Sequence, residues 1–233
     1  MKKTFLLIVI ASLLFWSCKK DEEPINEETF IYGSVSDIDS NVYKTVILGA
    51  QEWMAENLNV DHYRNGDLIP QITGSAEWAN MTTGAWCYYE NNSSNGLIYG
   101  KLYNWLAVND PRGLAPAGWH VPNYGEWFIL VDNLGAEVAC GKMKETGTTH
   151  WNSPNTDATN SSGFSAIPGG YGGDDGSFGD IGRRGYWWSS TEYDTSDAMF
   201  ITLPDEYGFV NMWKCYKQSG FSVRCLRGLT RNN

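Results

Sequence analysis

The sequence predicts an α+β domain, with short helices in the middle of the chain and antiparallel strands on either side. Three observations carry this. Apolar residues alternate with period two from Phe30 to Trp53 and again through the C-terminal part, and one stretch between them carries a helix with its capping signals. The consecutive strands are joined by turns too short for parallel crossovers. At 233 residues the chain suits one well-buried domain with short appendages. Aromatics at 14%, 25 glycines and only 19% charged residues, against roughly 25% in ordinary soluble domains, point to ring-packed loops.

The chain opens on Met1-Lys2-Lys3, an apolar stretch from Phe5 to Trp16, then Ser17 and Cys18. That stretch is short for a bilayer span, and a charged start before an apolar middle is the pattern of a secretory signal. Its end resembles a bacterial lipoprotein signal, in which a cysteine after a small residue becomes the lipidated first residue. Ser17 fits, while Phe15 stands where leucine is usual. Residues 1–17 are therefore the expected signal peptide and Cys18 the expected lipid attachment, giving the protein a membrane partner through its anchor. Several acyl chains on one cysteine hold stably where one is marginal. Lys20, Asp21, Glu22 and Glu23 resemble the export signal that sends lipoproteins of Bacteroidota to the outer face of the outer membrane. A solvated charge run is the plainer reading, and both can hold. Residues 18–29 become an acidic tether, and the expected location is the outer membrane, facing the cell exterior.

From Phe30 to Trp53, Tyr43, Thr45 and Ile47 fall on one face and Val42, Lys44, Val46 and Leu48 on the other, with turns at Asp37–Asn41 and Gly49-Ala50. The Asp-x-Asp-x-Asn spacing is that of a calcium loop, but Val42 replaces its glycine and Leu48 its glutamate, so a tight turn is expected. Tyr99, Leu102, Tyr103, Trp105 and Leu106 predict a first helix over 99–108. Asn123 with Glu126 three residues on, the stripe Trp127, Leu130, Val131 and Leu134, and Gly135 predict a second. Residues 146–185 are polar and glycine-rich, the signature of long functional loops. Strands return at 185–191, 198–203, 208–216 and 220–226.

Charge and cysteine usage narrow the function. A formal charge of -10 denies the basic footprint that phosphates require, so no nucleic-acid partner is expected. Cys87, Cys140, Cys215 and Cys225 are an even set in an exported chain, which favours two disulfides over a metal site, with all three pairings open. His62, His120 and His150 fall in no zinc-like cluster. No metal site or cofactor is expected, although Asp174 and Asp175 offer oxygen ligands for a structural calcium.

Six segments in order, DIDSNVYKTVILGAQEWMAENL, YGKLYNWLAV, GWHVPNYGEW, KETGTTHWNSPNTDATNSSGF, GYWWSSTE and GFSVRCLR, resemble the Fibrobacter succinogenes major paralogous domain over residues 37–228. GWHVPNYGEW and GFSVRCLR are also similar to the sulfatase-modifying-factor group of the C-type-lectin-like superfamily. The resemblance implies a C-type-lectin-like α+β fold over residues 30–228, with two helices, twisted antiparallel sheets and long loops, before a short tail at 229–233. Many relatives carry a cysteine before Pro-x-Gly-Trp that could pair with the one in the closing strand. Ala115 stands there, so Cys87 with Cys225 and, by subtraction, Cys140 with Cys215 become the favoured pairs; Cys215 with Cys225 competes. The resemblance names no reaction.

Three activities weigh against plainer readings. Cysteine oxidation would need a reactive pair, and Cys215 and Cys225 lie in predicted strands where a structural role is the better reading. A glycosidase needs two facing carboxylates, for which Asp174, Asp175, Asp180, Glu192, Asp194 and Asp197 are candidates; acidic loop residues are mostly turn formers. Calcium-assisted sugar binding lacks its tripeptide, since Ser153-Pro154-Asn155 begins on serine. Aromatic recognition of a glycan or a partner protein is the expected function, with an enzyme, first of all a hydrolase, or a structural envelope protein as alternatives. The expected ligand surface is Tyr171, Asp174, Asp175, Arg183, Arg184 and Trp187. Strand neighbours point to opposite faces, so of the adjacent pair Trp188 is assigned to the core and Trp187 to the ligand.

Overall fold

The computed structural model describes residues 32–228. The signal peptide, Cys18, the Lys20–Glu23 signal, the tether and the 229–233 tail lie outside the described residues. The first three strands fall in the predicted stretch: β1 (Tyr32–Ser36), β2 (Val42–Leu48) and β3 (Gln51–Met54), all antiparallel; only β2 approaches the expected alternation, β1 being mostly exposed and β3 buried throughout. The turn between β1 and β2 is closed by Asp37, whose Oδ1 accepts from the backbone N–H of Asp39 and Asn41 at 2.9 and 3.0 Å. Helix α1 (Ser75–Ala79), strand β4 (Trp86–Cys87), helix α2 (Ser93–Tyr99), strand β5 (Leu102–Tyr103), helix α3 (Trp105–Val108), helix α4 (Tyr124–Leu134) and helix α5 (Ala139–Met143) fill the middle. Strands β6 (Tyr171–Gly172), β7 (Phe178–Gly179), β8 (Arg184–Glu192), β9 (Asp197–Pro204), β10 (Asn211–Tyr216) and β11 (Leu226–Gly228) complete the chain. Among the described residues no helix is long and apolar enough to cross a membrane.

The class is α+β with several antiparallel sheets: β1-β2-β3-β11, β10-β9-β8, and two small pairs. Helix α4 carries the full reciprocal cap, Asn123 Oδ1 accepting from Glu126 N at 3.0 Å and Glu126 Oε2 from Asn123 N at 2.9 Å. The first expected helix does not span 99–108. Gly100, at φ 75°, ends α2, and Asn104 starts the single turn of α3 by accepting from Ala107 N at 3.0 Å. Between them Leu102 and Tyr103 pair with β4 instead, so the helical spacing there arose from a strand and a turn, with Tyr103 and Trp105 in one core and Leu102 in a smaller one. Five α-helices, all but α4 of two turns or fewer, thus stand among the described residues where two were expected.

Two large cores share the same strands. On one side pack Tyr43, Met54, Trp86, Tyr103, Trp105, Trp119, Trp188 and Phe221. On the other lie Val46, Trp53, Trp127, Leu130, Trp151, Phe164, Trp187 and Ile201. A strand covered on both faces sends alternate residues into different cores, as Trp187 and Trp188 do. The expected strand at 220–226 is corrected. Gly220, Phe221 and Ser222 make single bridges to Gly172, Tyr103 and Trp187, and only Leu226–Gly228 forms a ladder. This buried segment serves three neighbours in turn, so no one of them pairs along its length.

The expected disulfides are absent: Cys87, Cys140, Cys215 and Cys225 are all free thiols. Cys87 packs in a small third core, Cys140 in the core of Trp127, and Cys225 in the core of Trp188 with Cys215 against it. Both favoured pairs would therefore have to join different cores.

Candidate functional site

Cross-strand register builds an aromatic row on the three-stranded sheet. Trp188 of β8 sits opposite Phe200 of β9, and Phe200 sits opposite Trp213 of β10. Directly opposed residues in antiparallel strands share a face, so the three rings lie on one side of the sheet. Burial falls along the row: Trp188 is fully buried, Phe200 half-buried, and Trp213 on the edge strand is 65% exposed. Of the ten tryptophans among the described residues, the other nine are buried. An indole left in water costs about 25 cal/mol per Å² of apolar surface, and a fold that hides nine such rings has the means to hide a tenth.

Polar groups flank the row on the same face. One step along, Tyr186 of β8, Thr202 of β9 and Asn211 of β10 are register partners. Thr202 is 6% exposed and its buried hydroxyl meets no partner among the described residues, an unusual cost for a fold to carry. The Tyr186 hydroxyl donates to Asp180 Oδ2 at 2.6 Å, and Arg184 Nη1 stands 3.9 Å from the same oxygen. Burial first, and then this carboxylate, push the Tyr186 phenol well above its ordinary pKa, so it stays a neutral donor. The Tyr171 ring meets the Tyr186 ring edge-on at 5.4 Å, with Phe200 beyond at 5.9 Å. Tyr186, Thr202 and Trp188 are buried, so the part of the row that can meet the apolar face and the polar rim of a ligand is Trp213 and half-buried Phe200 with Asn211 beside them.

A family model described as the Fibrobacter succinogenes major domain matches residues 46–227. The chain belongs to that family. No curated protein and no solved structure matches the chain. The Fibrobacter succinogenes major domain here spans β8, β9 and β10, so the whole aromatic row lies within the matched region.

Within this major domain, the expected ligand residues separate. Tyr171 and Arg184 join the row through Tyr186 and Asp180. Arg183, one residue before β8, turns to Glu206 at 3.1 Å. Asp174 and Asp175 stand exposed at the turn between β6 and β7, and Asp175 Oδ1 accepts from Ser177 N at 2.9 Å, a turn-closing contact. Trp187 is corrected: it is fully buried, its Nε1 donating to Asn57 Oδ1 at 2.8 Å in the core of Trp127. The face opposite Trp188 is covered by that second core. The remaining acidic candidates are engaged elsewhere, Glu192 with Lys217, and Asp194 and Asp197 with Lys214. Phe200 and Trp213 were missed. Their signal was available, since Phe200 and Trp213 sit symmetrically about the turn between two predicted strands and must face one another if the hairpin closes.

Proposed function

We propose that this is a non-catalytic binding module on a C-type-lectin-like scaffold, displayed outside the cell by a lipid anchor at Cys18. It recognises a glycan, with a partner protein as the other ligand class, through the face of β8, β9 and β10. The observation that supports this is Trp213, an edge-strand indole left in water beside Phe200 in a protein that buries its other described tryptophans. A sugar ring lays its C–H face on an indole and turns its hydroxyls to neighbours such as Asn211 and Arg184. Both chemistries are present along one sheet face.

A glycan array probed with the domain from residue 30 onward tests this reading. Saturable binding should weaken at least tenfold in Trp213→Ala, about 1.4 kcal/mol, while stability stays within about 0.5 kcal/mol, as for other surface substitutions. Unchanged affinity of that variant for every glycan that the native domain binds contradicts the reading. Hydrolysis of a bound glycan, abolished by one loop carboxylate change such as Asp180→Asn, would favour the enzyme instead.

A further inference from the structure

We propose a second ligand site, sharing no residue with the sheet face, in the cleft between β2, α2 and the loop of residues 145–167, and that it takes a neutral saccharide. The cleft holds about 420 Å³, inside the roughly 300–1,000 Å³ range of small-molecule sites. The argument rests on which hydrogen-bonding groups in its walls are still free.

Most donors of the floor are committed. Arg224, 1% exposed, gives three of its five N–H groups, Nε to Asn57 Oδ1 at 3.0 Å, Nη2 to Ser165 O at 2.9 Å and Nη1 to Phe164 O. The Asn57 amide donates to Tyr99 O at 2.9 Å and to Ser222 Oγ at 3.3 Å. What remains is mainly acceptor capacity. Glu56 Oε2 takes the Lys44 N–H at 2.7 Å and Glu145 Oε2 faces His150 Nδ1 at 2.8 Å, which leaves the second oxygen of each carboxylate. A ligand that completes this site must bring donors.

Charge then selects among donor-bearing ligands. A cation meets the guanidinium of Arg224, buried in the floor without a carboxylate ion pair among the described residues. An anion meets Glu56, Glu145 and a chain of formal charge -10. Neutral hydroxyls remain. The lip adds the second requirement, because Leu97 is 87% and Val42 65% exposed, with Ile98 beside them. Such aliphatic edges suit the C–H face of a ring whose hydroxyls point inward, which describes a saccharide.

Saturation-transfer NMR on the full chain carrying Trp213→Ala isolates the cleft from the sheet face. The probes are a panel of neutral disaccharides and their uronic-acid and amino-sugar counterparts. Saturable signals from neutral members are expected, falling at least tenfold when Leu97→Asp and Glu145→Gln are added. Both substituted positions are at least partly exposed, and a thermal melt checks that the fold persists. No signal from any neutral member, a preference for charged members, or signals that survive the added substitutions overturn the proposal. A failure here leaves the sheet-face reading untouched, since that reading is carried by Trp213.

Discussion

Asp39 gathers donors that an unfolded chain would scatter. Its Oδ2 accepts from Asp61 N at 2.5 Å and His62 N at 3.2 Å, and its Oδ1 faces His62 Nδ1 at 2.6 Å. Burial works against its charge, yet the bonds from Asp61 and His62 outweigh it and hold the carboxyl below its ordinary pKa. A lowered folded-state pKa gives stability that is present above the unfolded value, near 3.9, and lost as pH falls through the folded one. Asp39→Ala should therefore cost about 1–2 kcal/mol at pH 7, by urea denaturation, and markedly less at pH 3. Equal losses at both pH values would contradict this. The same scale explains the tryptophan pair. Alternation in GYWWSSTE correctly separates Trp187 from Trp188, but it carries no information on whether a second layer covers the other face. That layer comes from Trp53, Trp127 and Phe164, distant in sequence.

Elements whose signals are local were legible; those set by partners were not. Helix α4 follows from Asn123, Glu126 and Gly135, all within one segment. The pairing of Leu102 and Tyr103 with β4 and the bridging of 220–222 depend on which strands arrive alongside, which no window of sequence contains. Cysteine pairing is the sharpest case, because each thiol sits in a place set by its own element. Burial pushes the Cys87 thiol up to about 12 and the Cys140 thiol, despite nearby Lys144, up to about 11. Such thiols are poor nucleophiles at neutral pH. Thiol counting on the domain from residue 30 onward should give four free groups after unfolding and, in the native state, fastest reaction at half-buried Cys215. Fewer than four after unfolding would show that pairs form.

At the scale of the whole molecule, two cores are built on shared strands, and β10 lies at the edge of its sheet. That position leaves Trp213 in water while its register partners Phe200 and, through it, Trp188 lead inward. Tyr171 and Arg184 were chosen from the sequence because they lie in or beside a long segment rich in turn residues. Trp213 was missed because an aromatic in a strand reads as core. Acrylamide quenching of tryptophan fluorescence tests the central claim most directly. The domain should show one readily quenched tryptophan, absent in Trp213→Phe, and saturation with an array glycan whose binding Trp213→Ala weakens should shield it. Such a glycan leaving that quenching unchanged would contradict the assignment of the sheet face as the binding surface.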